Sequence, residues 1–157
     1  MRLSLGLIIT LLTAVSALGQ MSFGWKGIIP LTSSREDVLE TLGTPKQSYE
    51  HSDLFFLPDV KVNVHYSSAL CEGALSGWRV RKGTVLSILV VPLRGMQFDV
   101  SKLGKDFVKG SVNDDLSVEY TNVEKGIRFT ESDTGTVNTV YYMPSKKDSK
   151  QRCLNKN

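Results

Sequence analysis

The sequence predicts an α+β domain, an antiparallel sheet of about five to seven strands with one short N-terminal helix packed on one face. Three observations predict it. Residues Val60 to Tyr66 alternate between apolar and polar, the period of a strand with one buried and one wet face. A helix signature with a start and a stop runs from Ser34 to Gly43. Three β-rich segments near the C-terminus are separated by Gly-containing turns, the spacing of a meander.

The chain of 157 residues opens with an address. Arg2 is the only charge before Lys26, and Leu3 to Leu12 is apolar except at Ser4, Gly6 and Thr10. Ala17-Leu18-Gly19 follows, a small-x-small triplet suited to signal peptidase. Basic start, short apolar middle and small-residue cut site are the parts of a secretory signal. The expected cleavage lies between Gly19 and Gln20, giving residues 1–19 as signal peptide and 20–157 as one domain with a polar tail from about 144. An uncleaved anchor is the competing reading. A spanning helix needs about 20 apolar residues. No second long apolar run follows, so no transmembrane segment is expected in the mature chain, which is read as periplasmic or secreted.

In the short lead from Gln20 to Lys26, Phe23 and Trp25 read as packing residues rather than ligand contacts. Ser34 then fits an N-cap, because its hydroxyl can accept an unpaired amide of the first turn. Glu36 and Asp37 bring negative charge to the positive end of the helix dipole, and Asp37 occupies the reciprocal position of a capping box. Val38, Leu39 and Leu42 form one narrow apolar face. Gly43 is free to take the left-handed position after the helix, and Pro45 blocks continuation. So short a helix is marginal alone and must pack on something.

That something is sheet. Asp53 to Leu57 reads as a strand and Pro58-Asp59 as a turn. In the next strand Val60, Val62, Val64 and Tyr66 face one side, and Lys61, Asn63 and His65 the other. Ser67 to Gly77 is a small-residue loop carrying Cys71. Thr84 to Val91 is apolar on both faces and β-branched, which predicts a central strand ended by Pro92. Residues 93–115 are poorly legible; Val100 to Lys109 allows one helical turn, weakened by Gly104. Leu116–Asn122, Gly126–Glu131 and Thr136–Met143 are the meander. The tail carries Lys146, Lys147, Lys150, Arg152 and Lys156, a solvated basic stretch or one attracted to an anionic surface.

Cys71 and Cys153 both follow the signal, and an exported chain matures where thiols oxidise, so the natural reading is a disulfide. Closing so long a loop contributes about 4–5 kcal/mol in the chain-entropy model. Unpaired or intermolecular cysteines, or a reactive thiol, are the other readings. No CxxC and no recognised nucleophile motif accompany either one.

Composition excludes several function classes. Apolar residues make 41% and charged residues 22%, ordinary for a globular domain and unlike a disordered one. A formal charge of +3 is too small for a nucleic-acid protein. Two His, without HxH, HxxxH or CxxC, supply no metal site, and no cofactor is expected. His51 lies in a turn-like segment and His65 on a wet strand face. There is no G-x-S-x-G and no phosphate-cradling Gly-rich loop. Glu36-Asp37 and Asp114-Asp115 are adjacent pairs, which do not converge on one substrate atom. No catalytic residue is assigned; carboxylates brought together from separate strands stay open as a hydrolase reading.

The stretch Leu31 to Pro45 resembles the helix segment of the small lipoprotein of the outer-membrane β-barrel assembly machine, whose pattern is roughly G-x-T-x-x-x-V-x-x-x-L-G-x-P. Ser34, Val38, Leu42, Gly43 and Pro45 match, and Thr32 stands where that family has Gly. The family's α+β fold is similar to the halves of the β-lactamase inhibitory protein. The lipid-bearing Cys of the lipoprotein is absent here. With Trp25, the Leu42–Pro45 segment, Cys71, Trp78 and the Tyr141–Ser145 stretch, the whole chain also resembles small exported bacterial proteins of uncharacterised function.

The expectation is therefore an exported, non-enzymatic binding module of a bacterial envelope or secretome, with an unknown protein or envelope ligand as partner. Its contact surface would be the wet sheet face at Lys61, Asn63 and His65, or a sheet edge. An inhibitor of a secreted enzyme is the alternative implied by the inhibitory-protein resemblance.

Overall fold

A computed structural model describes residues 23–71, 77–93, 105–114 and 116–153. The expected signal and its Gly19/Gln20 cleavage site lie outside the described residues. So do residues 100–104 of the expected helical turn at 100–109, together with Asp115 and Lys156; the end of that stretch, Val108 and Lys109, is strand and not helix.

One helix and eight strands make up the described chain: α1 (Arg35–Leu42), β1 (Gln47–Ser48), β2 (Ser52–Phe56), β3 (Val60–Tyr66), β4 (Val85–Pro92), β5 (Val108–Val112), β6 (Val118–Asn122), β7 (Ile127–Glu131) and β8 (Val137–Tyr142). A 3-10 helix, Lys146–Gln151, follows. The strands form one antiparallel sheet in the order β1-β2-β3-β4-β8-β7-β6-β5. Two four-stranded meanders meet by their last strands, at β4 against β8.

The expected count of five to seven strands is thereby corrected. The α+β class is corrected with it: the fold is β-dominated, one eight-stranded sheet with a single short helix. The two extra strands are the sheet's edges. β1 has two residues, both exposed, and exists through its pairing of Gln47 with Leu54 and Ser48 with Asp53. β5 is exposed along its whole length, so no buried face marks it in the sequence. Lys109 and a register irregularity between Lys109 and Val112 blunt this edge.

The core lies on one sheet face. Successive strands contribute Phe55, Val62, Val90, Val140 and Phe129 in one row across the sheet. The next row holds Val64, Ile88, Tyr142 and Ile127. Ile28 and Val38 cover these rows, both essentially buried. Phe107 and Tyr120 extend the core by an edge-on and a stacked contact with Phe129.

The helix is held as its sequence demands, with two differences. Asp37 N–H donates to Ser34 Oγ at 3.2 Å and Ser34 N–H donates to Asp37 Oδ2 at 2.7 Å, closing the capping box. The segment before it is laced to the start of β4 by Leu31 N–H to Val85 O and Val85 N–H to Ser33 O. The apolar face is narrower than expected: Val38 is buried, Leu42 half-buried and Leu39 39% exposed. Gly43 has φ 81° and ψ −151°, a conformation open to glycine but outside the left-handed helical well.

The cysteine pairing is present. Cys71 and Cys153 form a disulfide with Cα atoms 5.4 Å apart, inside the range a disulfide accepts. Around it Cys153 N–H donates to Gly77 O, Arg79 N–H to Gln151 O and Cys71 N–H to Trp78 O. The polar tail is thus returned to the body of the fold. No helix among the described residues is long and apolar enough to cross a membrane.

Candidate functional site

Lys61, Asn63 and His65 share the face of β3 opposite the core, because Val62, Val64 and Tyr66 between them point inward. Lys61 and His65 are exposed and Asn63 half-buried. Asn63 Nδ2 lies 3.2 Å from His65 Nε2. Although His65 is solvent-accessible, desolvation of its ring by the neighbouring strands holds the imidazole below its ordinary range.

Strand register brings apolar residues beside these three. Asn63 stands between Leu54 and Leu89, and Leu89 opposite Tyr141. Lys61 stands between Phe56 and Val91. Phe56 is 56% exposed. Lys61 Nζ sits 5.9 Å from the Phe56 ring centre, and Arg128 Cζ 5.1 Å from that of Tyr141. Arg128 also approaches Glu119 at 3.5 Å. The face is an apolar strip topped by cations. Sequence reading missed its apolar half: the doubly apolar β4 suggests burial on both sides, yet Leu89 and Val91 lie half-exposed on this face. Toward the far edge it turns polar, with Asn113, Thr130, Asn138 and Thr139 around an open depression.

A second cluster lies under α1. Asp53 is fully buried and receives Arg35 Nε at 2.8 Å, Arg35 Nη2 at 2.5 Å and the Tyr66 hydroxyl at 3.0 Å. Burial pushes the Asp53 carboxyl up, but donors from Arg35, Ser48 and Tyr66 outweigh it and hold the group below the usual carboxylate range. Arg35 further donates to the carbonyls of Tyr49 and Glu50. A carboxylate so fully engaged is built to hold the helix on the sheet, although it borders an open groove with Leu39, Gly43 and Pro45.

The strand carboxylates do not converge. Asp53 is paired with Arg35, and Glu119 and Glu131 sit on neighbouring strands at adjacent register positions, pointing to opposite faces. His51 Nε2 lies 3.5 Å from Glu50, and its Nδ1 is buried without a hydrogen-bond partner. Phe23 lies beneath Lys125, and Trp25 packs against the core. Among the described residues no three His, Cys, Asp or Glu are grouped to hold a metal.

These features define a single-sheet antiparallel domain with one capped helix and one disulfide. The crystal structure of YjgB, a DUF4309 family protein from Bacillus subtilis subsp. subtilis str. 168, is similar to it. The TM-score is 0.50 at 13% identity, over 76% of this chain and 84% of that one. At that identity the likeness speaks for the fold alone. No protein-family model matches the chain, and no curated protein matches it in sequence.

Proposed function

We propose that the protein is an exported, non-enzymatic binding module of a bacterial envelope or secretome, and that it contacts its partner through the open sheet face. The observation that carries this reading is the apolar strip of Leu54, Phe56, Leu89 and Val91 beside Lys61. No carboxylate among the described residues pairs with Lys61. Its charge complements a protein whose apolar surface is rimmed with carboxylates. Such a partner buries the strip while placing acids against Lys61 and Arg128, which favours encounter and register.

The test begins with affinity capture from the producing cell's own envelope and medium. The captured protein is then titrated against Phe56→Asp, Lys61→Glu and, as a control in the exposed 3-10 helix, Lys150→Glu. The reading expects at least tenfold weaker binding for the first two, unchanged binding for the third, and weakening with salt. Equal binding by all three variants overturns it, as does turnover of a substrate with no partner captured. A partner that is a secreted enzyme, and is inhibited, narrows the reading to an inhibitor.

A further inference from the structure

A second concavity lies where the C-terminal segment folds back on the sheet, away from the open face. Trp78, Val123, Met143 and Pro144 give it apolar walls, and Lys146 and Arg152 stand at its rim, around a volume of about 420 Å³. That is within the size range of small-molecule sites, which pair apolar walls with a few placed polar groups.

The walls are fixed by independent devices. Trp78 and Arg152 form an isolated backbone bridge beside the Cys71–Cys153 disulfide, with Arg79 N–H to Gln151 O next to it. Across the concavity, Met143 N–H donates to Gly126 O at 2.7 Å and Lys146 N–H to Val123 O at 2.8 Å. Gly126 has φ 68°, and a Cβ there would meet Met143 O at 2.1 Å, so only glycine permits this close approach.

The two rim cations differ. Lys146 is engaged by Glu124 at 2.6 Å. Arg152 lies over the Trp78 ring with Cζ 5.2 Å from its centre, and no carboxylate among the described residues pairs with it. A guanidinium held over an indole is positioned in advance and keeps N–H donors free for a carboxylate. We infer that this concavity binds a small amphipathic carboxylate, its apolar body on Trp78, Val123 and Met143 and its carboxylate on Arg152. A free acid and the C-terminal residue of a peptide share that chemistry.

The test uses the disulfide-intact protein in a Trp25→Phe background, so that Trp78 reports alone. It is titrated with 3-phenylpropionate, with 3-phenylpropanamide and with an acetylated dipeptide ending in a free Phe carboxylate. The expected result is a saturable change in Trp78 fluorescence with the carboxylates and at least tenfold weaker binding of the amide. Arg152→Gln abolishes that preference, and Val123→Asp, at a position 59% exposed, weakens both acids at least tenfold with the unfolding midpoint checked alongside. The tighter of the two acids identifies the source, free or peptide-borne. No saturable response overturns the inference, as does equal binding of acid and amide, or an Arg152→Gln protein that keeps the preference.

Discussion

Arg35 grips both carboxylate oxygens of Asp53, through Nε at 2.8 Å and Nη2 at 2.5 Å, and so fastens the first residue of the helix to the second strand. Asp53 is completely buried, while Arg35 retains 29% exposure. Removing one partner of a buried pair leaves the other uncompensated. Arg35→Ala strands a buried carboxylate and is expected to cost about 3 kcal/mol, read as a lowered urea midpoint. A loss under about 0.5 kcal/mol, the scale of ordinary surface substitutions, would mean that the pair does not hold the helix.

The same pair sets an acid limit. Because the folded carboxyl of Asp53 ionises below its unfolded value, its contribution is full above the unfolded pKa of about 4 and is lost as pH falls through the folded value. His65 acts in a higher window. Its folded pKa is also lowered, so the unfolded chain takes the proton first, and stability declines as pH drops below the unfolded value of about 6.5. His65→Asn is expected to flatten the urea midpoint between about pH 7 and 5 without altering the steeper fall below about pH 4. An unchanged slope in the upper window would remove His65 from the account.

Cys71 and Cys153 are separated by 82 positions, and their bond joins the tail to the middle of the fold. Reduction, or a Cys71→Ser/Cys153→Ser double substitution, is expected to lower stability by about 2–5 kcal/mol. The hydrogen bonds Cys153 N–H to Gly77 O and Arg79 N–H to Gln151 O should lose amide-exchange protection first. Uniform loss across the sheet would show that the bond acts on the whole domain rather than on this wall.

Gly126→Ala meets both a positive φ and the Met143 carbonyl. The expected cost is about 3 kcal/mol or more, measured by thermal or urea unfolding. By contrast Gly135→Ala, with φ 76° and only a glutamate tip at 3.9 Å, should cost about 1 kcal/mol. Equal losses at the two positions would mean that backbone conformation alone decides both.

Much of the fold was legible in local pattern. The alternation of Val60–Tyr66 marks β3 and its two faces, the doubly apolar run marks β4 as central, and Ser34 with Asp37 marks the start of α1. β1 and β5 were not legible, since an edge strand exposed on both sides carries no hydrophobic period. Neither was the Arg35–Asp53 pair. An arginine on a helix reads as solvated, and only the packing of α1 on the sheet brings together residues 18 apart. The half-hidden strip of the open face had a signal in Phe56, Leu89 and Val91. Period-2 logic assigns such residues to burial and is silent on whether a second layer covers them. Trp78 and Arg152 meet through the disulfide, so their proximity was implied by the cysteine pairing rather than by any motif.

The proposed function requires a chain that is exported and cut before Gln20, with the Cys71–Cys153 disulfide closing it. Intact-mass spectrometry of the native protein from its own cell, unfolded in alkylating agent without reductant, tests it most directly. The expected product starts at Gln20 with neither sulfur modified; one starting at Met1 with both Cys71 and Cys153 alkylated overturns the proposal.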